Sequence, residues 1–434
     1  GPQDYFAYAK MRIGTIVQAA AKLEVVGEDT ALWRSGLTTA TPRMRIAHLD
    51  SVAKEVYSND NFWVDLLKAL VERPPNPTAL SVLHSILRLL ESFPSPEDRY
   101  ALSPVLNDAF QHMALFRPAD FFASGGQYRS FENQVVEIAK TNPDLSQKLT
   151  AFKCLCLYVQ GPRIPHCPES DLFYPPTLHT KNWAVQSRAF ELMKQTLRIK
   201  ASEASQLMLK SEAVRFIGYM CADDSVVATQ VLNEEYAVVK ALFLEHKQCS
   251  EALASEIADP EILEAVQAYR RDTVWALSVI VETAHPSATI RHGGKILLEL
   301  DPMVARFTSS FATSEFADPA VAPLVVNLLT VFRALLPAVG LANQGPYETL
   351  ALEVVKMRVA STAPGWMAEA KTSAAFTGYL TDVMTAFPNF LNAKVLAEPP
   401  PHATWCAVTL VLYSSPSRRP TPPGASWCRA SGRT

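Results

Sequence analysis

The amino-acid sequence predicts an all-α protein, and three features of the chain support this prediction. Apolar residues make up 48% of the 434 residues, and they recur every three or four positions, which is the spacing that lines one face of a helix. Glycine is scarce, at 16 residues, and no alternating pattern typical of a strand stands out before residue 400. Asp, Asn or Ser repeatedly precedes Pro, as it does at helix starts.

The helical period is clearest in three segments. Their apolar residues are Leu80, Leu83, Leu87 and Leu90 in the first, Ile262, Val266, Val274, Leu277 and Val281 in the second, and Val321, Leu324, Leu328, Val331 and Leu335 in the third. Each series keeps the period that places side chains one above the other on a helix, so we expect each to form a buried helix face.

The predicted helix starts share one chemistry. They are Asn76-Pro77, Ser95-Pro96, Asn142-Pro143, Asp259-Pro260, Asp301-Pro302 and Asp318-Pro319. The first N–H groups of a helix lack a partner within it, so an Asp, Asn or Ser oxygen accepts from one, and proline at the first helical position has no N–H to leave unpaired. Asp259 and Asp301 are 42 residues apart, within the roughly 40–47 residues of HEAT and armadillo units.

These starts, the unit of about forty residues and the Leu, Val and Ala faces resemble an armadillo- or HEAT-type α-solenoid. The resemblance covers roughly residues 4–397 and implies a right-handed α-solenoid of degenerate helical repeats, in which each helix pair buries its apolar face against the next. The same pattern is compatible with a non-repetitive all-α fold.

Composition divides the chain further. The opening Gly-Pro is typical of the scar left by tag cleavage, so residues 1–3 are assigned to such a remnant and residues 4–397 to the helical-repeat domain. Residues 161–180 hold five prolines and are predicted to form a long loop. Residues 398–434 are rich in Pro, Ser and Arg, and we expect them to be disordered apart from one short strand over 403–413.

Charge and cysteine content limit the class of protein. A net charge of −3 and a pI near 6.4 argue against a dedicated nucleic-acid binder. Seven cysteines without regular spacing indicate a reducing compartment, so an intracellular protein, cytoplasmic or nuclear, is expected. The most apolar run, 316–332, contains Asp318, Asn327 and two prolines and is predicted not to span a membrane.

One cluster of possible metal ligands comprises Cys154, Cys156, His166 and Cys167. Side chains two positions apart on a helix point in nearly opposite directions, so Cys154 and Cys156 are not expected to chelate one ion. Cys156 shares the period of Leu149, Phe152 and Val159 and is predicted to lie in the core. No metal site is therefore predicted.

No catalytic motif is found in the sequence. Gly-x-Ser-x-Gly, His-Glu-x-x-His and Gly-x4-Gly-Lys-Ser/Thr are all missing, and Gly293-Gly294-Lys295 is interpreted as a helix stop with one glycine at positive φ. The acidic pairs Asp223-Asp224 and Glu234-Glu235 are interpreted as solvated helix faces or as charges in the first turn of a helix. The prediction is a non-enzymatic protein without catalytic residues or cofactors.

The most suggestive functional feature is a series of basic residues that begins in segment 181–216. The candidate partner-binding residues are Lys181, Arg188, Lys194, Arg198, Lys210, Arg215, Arg270, Arg271, Arg291 and Lys295. On a solenoid the same helix of each unit lines the concave surface, so these residues are predicted to form a basic strip along it. Scattered surface charge would give the same count.

Two functions follow from this pattern. The first is an interaction scaffold that binds a protein or peptide partner, acidic or phosphorylated, along the concave surface or through the 161–180 loop. The alternative is an accessory domain of a larger RNA-processing protein, in which the strip contacts phosphates.

Overall fold

The computed structural model confirms the all-α class. The residues it describes are 79–80, 84, 127–160, 188–222, 224–340, 343–359 and 363–390. Within these ranges every regular element is a helix, and no strand occurs. The chain divides into two compact units between Ala288 and Thr289, and each unit is described separately below.

The first unit is built around two long helices. Its helices are α1 Gln127–Thr141, α2 Leu145–Gln160, α3 Arg188–Leu197, α4 Ala204–Cys221, α5 Ser225–Glu234, α6 Tyr236–Ala254 and α7 Pro260–Thr283, and α8 Pro286–Arg291 follows. Helix α4 packs against α2, α3, α5 and α7, and α7 also packs against α5 and α6. Helices α4 and α7 approach closely where Gly218 faces the ring of Trp275.

The predicted buried face of α7 is confirmed. Val266, Val274, Leu277 and Val281 are buried, and Ile262 in the first turn is partly exposed. Because α4, α5 and α6 all pack against α7, its side chains are buried around much of the helix rather than along one narrow stripe.

The described residues of the second unit form four longer helices and several 3₁₀ turns. They are α9 Gly293–Ser310, α10 Ala322–Leu335, α11 Gly345–Val359 and α12 Ala370–Ala386, with 3₁₀ helices at Ser314–Ala317, Pro319–Val321, Leu336–Ala338 and Gly365–Ala368. Helix α12 packs against α10 and α11, and α9 packs against α11. The predicted face of α10 is confirmed, since Leu324, Leu328, Val331 and Leu335 are all buried.

Aromatic rings fill much of this second core. Successive ring pairs join Phe311 to Phe316 at 4.6 Å and Phe316 to Trp366 at 4.9 Å between centroids. The indole N–H of Trp366 donates to the backbone oxygen of Phe316 at 3.1 Å. Edge-on and tilted rings of this kind contribute more than their buried area alone, and they tie the 3₁₀ helix at 365–368 to the rest of the unit.

Two of the predicted helix starts are confirmed. The Asp259 carboxylate accepts from the backbone N–H groups of Glu261 and Ile262, and Pro260 is the first residue of α7. Asp318 accepts from the N–H of Ala320, and Pro319 opens a 3₁₀ turn that leads directly into α10. The starts at residues 76 and 95 lie outside the described residues.

The start predicted at Asn142 is displaced by two residues. Helix α2 begins at Leu145, and Asp144 accepts from the backbone N–H of Ser146 at 2.9 Å. Asn142 instead accepts from the N–H of Asp144. An aspartate two residues further along the chain therefore takes the capping position that the Asn-Pro pair was expected to fill.

The start predicted at Asp301 is wrong. Asp301 and Pro302 lie inside α9, and the Asp301 carboxylate accepts from the hydroxyl of Tyr347 on α11 at 2.8 Å. Tyr379 on α12 in turn donates to the backbone oxygen of Tyr347 at 2.9 Å. The carboxylate thus joins helices of the core rather than capping one, so the 42-residue spacing does not mark the length of a repeat.

The interpretation of Gly293-Gly294-Lys295 as a helix stop is also wrong. Gly293 is the first residue of α9, and neither glycine has a positive φ. A side chain at Gly293 would meet Ala338 at 3.1 Å, so glycine allows the start of α9 to approach the turn after α10. Close packing, not left-handed backbone, is the reason for glycine here.

The apolar run around α10 forms a continuous helical stretch. Residues Pro319–Ala338 have a mean hydropathy of 1.8 over the best window, and within the described ranges this is the one helix long and apolar enough to cross a membrane. Half of that window is buried inside the protein, and a core helix of a soluble protein meets the same criterion. Pro319 and Pro323 stand at the start of the stretch and Pro337 lies in the 3₁₀ turn at its end, so the helix between them is not interrupted.

Several predictions concern residues that the structure does not describe. They are the limits of the repeat domain at 4 and 397, the loop 161–180, the tail 398–434, the strand 403–413 and the helix through Leu83, Leu87 and Leu90. Of that last helix, Leu80 is described and buried.

Candidate interaction surface

The centre of the first unit is a buried ion pair between α4 and α6. The Lys210 ammonium donates to both carboxylate oxygens of Glu245 at 3.0 Å, and the Tyr269 hydroxyl donates to the same carboxylate at 2.9 Å. Both charged groups are buried, so each needs the other to offset the loss of water. Lys210 also lies over the Tyr269 ring, 5.4 Å from its centroid.

The Lys210 ammonium also stabilises the turn between α3 and α4. Its third hydrogen bond is donated to the backbone oxygen of Ile199 at 2.9 Å, in the connection between α3 and α4. The N–H groups of Arg198 and Ile199 donate back to the last turn of α3, at 3.1 Å each. The backbone at 198–199 is therefore fixed from both sides, although its side chains lie at the surface.

A second charged cluster joins α4 to α7. Arg215 donates to Glu212 at 3.1 Å, and its Nε lies 3.1 Å from a carboxylate oxygen of Asp272. Burial raises the pKa of both Glu212 and Asp272, and the positive charge of Arg215 opposes that rise. The Arg215 guanidinium therefore pairs with two carboxylates, which neutralise its charge and leave it poorly suited to bind an acidic partner.

The other helix α3 cations predicted for the strip are paired too. Arg188 forms an ion pair with Glu137 on α1, and Lys194 lies 2.9 Å from Glu191 and 3.2 Å from Glu235. These pairs are partly exposed, and each neutralises the cation locally. Lys181 lies outside the described residues.

The remaining strip residues have different surroundings. Arg270 is buried in α7, whereas Arg271 is exposed. Arg291 and Lys295 belong to the second unit, where both are exposed. Burial, followed by the positive charges of Lys295 and Arg291, lowers the pKa of the adjacent His292.

The strongest remaining basic feature of the first unit is the turn between α3 and α4. Arg198, Ile199 and Lys200 are all exposed, and Ile199 exposes 42% of its surface. Neither cation lies within ion-pair distance of a carboxylate in the part of the chain that the structure describes. We call residues 198–200 the basic turn: two exposed cations, neither in an ion pair, that flank an exposed apolar side chain on a fixed backbone.

The prediction that Cys156 lies in the core is confirmed, and Cys154 is buried as well. The Cys156 thiol donates to the backbone oxygen of Glu212 at 3.1 Å, and burial raises the pKa of both thiols well above its usual range. Helix α2 is packed between α1 and α4, which is why opposite faces are both covered. His166 and Cys167 lie outside the described residues, within which no three ligands converge on a metal position.

The sequence pattern of cations alone does not predict the acidic partners of these residues. Lys210 lies one helical turn before the buried residues Ala213 and Val214, so its place on the inner face of α4 could have been read from the helical period. A charged residue on an inner face requires an opposite charge nearby. The period does not say which of the acidic residues supplies it.

No protein-family model matches the chain, and no curated protein matches it either. The contacts of the chain's own residues are therefore the basis on which its function is inferred.

Proposed function

We propose that the chain is a non-enzymatic, intracellular interaction scaffold whose basic turn binds an acidic segment of a protein partner. The observation that carries this proposal is the pairing of Lys210 with Glu245 beneath residues 198–200. A buried pair fixes the backbone, and the two exposed cations above it form no ion pair in the described residues. A fixed turn loses little conformational freedom on binding, which favours recognition.

The helix order supports the scaffold part of the proposal. In the first unit α2 packs against α4, and α4 packs against α7, so these three long helices form a row. Such a row is typical of degenerate armadillo- or HEAT-like α-solenoids, in which corresponding helices stack on one another. The right-handed solenoid is proposed on this basis and on the resemblance of the sequence.

The state of the nucleophiles supports a role without catalysis. Burial raises the pKa of Cys249 to about 12 and raises the pKa of Tyr269 and Tyr347 above the usual tyrosine range. A thiol or phenol that stays protonated at neutral pH is a poor nucleophile. These groups are better explained as parts of the core.

The chemistry of the basic turn favours a protein partner over the RNA-processing alternative. A groove for a nucleic-acid backbone needs several uncompensated cations in series. Lys194, Lys210 and Arg215 are each paired with carboxylates, which leaves short patches of charge. The exposed Ile199 between two cations instead suits a segment that carries both acidic and apolar side chains.

Fluorescence anisotropy with the whole chain tests the proposal. The probes are a fluorescein-labelled peptide of Glu and Leu residues, the same peptide with every Glu replaced by Gln, and a single-stranded RNA. We expect the Glu peptide to bind, the affinity to fall with salt, and the variant R198E/K200E to bind at least tenfold more weakly. The control K140E/K247E changes the net charge equally at exposed lysines of α1 and α6 and should bind as the wild type does.

Two results would overturn the proposal. One is equal binding of the Gln peptide, and the other is unchanged binding by R198E/K200E. RNA binding with a steep log–log dependence on salt, lost in the same variant, would instead establish the nucleic-acid alternative.

A further inference from the structure

We propose that Arg358, Ser373 and Thr377 in the second unit form a binding site for a phosphoryl group. Arg358 lies in the last turn of α11, and its two terminal nitrogens donate separately to the Thr377 hydroxyl and the Ser373 hydroxyl, each at 2.8 Å. Ser373 and Thr377 are one helical turn apart on α12, so both hydroxyls lie on the same face. We call these three residues the hydroxyl–arginine cluster.

The charge of Arg358 is uncompensated. Two ion pairs in the second unit join Arg333 to Asp382 and Lys356 to Glu353. Arg358 takes part in neither, and burial alone lowers its pKa, with no carboxylate to oppose the effect. A half-buried guanidinium is normally matched by an anion, because its fork of N–H groups fits a carboxylate or a phosphate.

The two hydroxyl groups have hydrogens to donate. Thr381 and Thr385 on the same helix direct their hydroxyls back to the carbonyl oxygens one turn earlier, at 2.9 Å each. Ser373 and Thr377 make no such bond in the described residues; both accept from Arg358 instead. A hydroxyl that accepts from a guanidinium keeps its own hydrogen free for a further acceptor.

The number of donors fits a phosphoryl group. A guanidinium carries five N–H groups, of which Arg358 uses two on the hydroxyls, so three remain beside the two hydroxyl hydrogens. A phosphoryl group presents three oxygens as strong acceptors, whereas a carboxylate presents two. Arg358, Ser373 and Thr377 are all partly exposed, so a small anion can reach the cluster.

A second guanidinium, that of Arg333, lies against α12 at Gly378. A side chain at Gly378, the residue after Thr377, would lie 2.4 Å from the Arg333 guanidinium, so only glycine lets Arg333 lie against α12 here. Arg333 is neutralised by Asp382 at 2.7 Å and therefore does not itself need the ligand. The net positive charge of the cluster stays with Arg358.

Binding of inorganic phosphate to the whole chain, followed by ³¹P line broadening in a chloride buffer of fixed ionic strength, tests this proposal. We expect saturable broadening in the wild type and at least tenfold weaker binding in R358K, because an ammonium cannot reproduce the fork. S373A/T377V should weaken binding to a similar extent while leaving the cation in place. Lys371 is exposed in the first turn of α12, so the control K371Q should retain binding.

Binding of two further ligands, phosphoserine and acetate, shows which anion the site prefers and where that anion comes from. Phosphoserine that binds more tightly than inorganic phosphate would assign the site to a phosphorylated side chain, and the reverse would assign it to free phosphate; both support the proposal. Equal binding of acetate, no binding by the wild type, or unchanged binding in both R358K and S373A/T377V would overturn it. The variant R198E/K200E should keep phosphate binding, so this site and the basic turn fail or succeed independently.

Discussion

Lys210 on α4 and Glu245 on α6 form a buried, two-oxygen ion pair whose ammonium also fixes the backbone at Ile199. Taking either charge alone out of the pair leaves the other buried without its partner, which costs far more than removing both. The structure of the basic turn therefore depends on a pair that contributes no exposed charge of its own.

Single and double substitutions of this pair should not be additive. We expect K210M or E245L alone to lower the free energy of unfolding by about 3–5 kcal/mol, and K210M/E245L to cost less than either. Urea denaturation monitored by fluorescence measures this. The exposed pair Lys247–Glu251, at 3.9 Å, is the control, and K247M should cost no more than about 0.5 kcal/mol. If the losses of unfolding free energy in K210M and E245L add up in the double variant, Lys210 and Glu245 do not form a buried pair.

The cluster of Glu212, Arg215 and Asp272 should make stability depend on pH. Burial raises the pKa of both carboxyl groups, so the folded state binds protons more tightly than the unfolded chain. Their contribution to stability is therefore highest in acid and is lost as the pH rises through the folded-state pKa values. The free energy of unfolding of the wild type, relative to E212Q/D272N, should increase as the pH falls from 7 toward 4.

Replacing Arg215, the cation that Glu212 and Asp272 share, should destabilise the protein at neutral pH. We expect R215Q to lower the free energy of unfolding by about 2 kcal/mol at pH 7, between the values for exposed and buried pairs. The loss should shrink in acid, where Glu212 and Asp272 become protonated. A loss that is constant from pH 4 to 7 would mean that the carboxylates do not depend on Arg215.

The buried thiols should be unreactive in the folded protein. Burial raises the pKa of Cys154 and Cys156, and Cys156 donates to Glu212, so little thiolate forms at pH 8. Iodoacetamide followed by mass spectrometry should label neither residue in the native chain and both in urea. Labelling of either one without denaturant would place it at the surface.

Glycine at position 218 should be required by packing. A side chain there would meet the Trp275 ring at 2.3 Å, so G218A should lower the free energy of unfolding by about 1–3 kcal/mol through overpacking. Gly294 is also helical, but no atom lies within 4 Å of its added side chain. G294A should therefore be neutral or stabilising by up to about 1 kcal/mol, because alanine favours helix. Thermal unfolding of both variants makes the comparison.

The local sequence pattern was sufficient to predict the helices, but it was not sufficient to predict which residues they contact in the fold. The period of Leu324, Leu328 and Leu335 predicts a buried face whatever that face packs against. Asp259 and Asp301 are each followed by proline and look alike in the sequence. Asp259 caps a helix, but the Asp301 carboxylate accepts a hydrogen bond from Tyr347, 46 residues later, inside the core. A carboxylate beside a proline can cap its own helix or accept a hydrogen bond from a distant residue. A short window of sequence does not contain that distant residue, so it cannot show which of the two occurs.

The same limit applies to the candidate surface. A count of cations predicts a long basic strip, yet Lys210 finds Glu245 at a separation of 35 residues. Of the basic turn, the sequence offers only Arg198 among its ten candidates and does not distinguish it from the others. The hydroxyl–arginine cluster was not predicted because its signal is a missing carboxylate, which becomes visible only in the fold.

Amide hydrogen exchange of the whole chain, with and without the Glu and Leu peptide, tests the proposed function most directly. We expect added protection at residues 196–203, where Arg198 and Ile199 donate to the end of α3, and none in the R198E/K200E variant. Protection confined to other segments, the 161–180 loop included, or identical protection in R198E/K200E, would contradict the assignment of the basic turn as the contact surface.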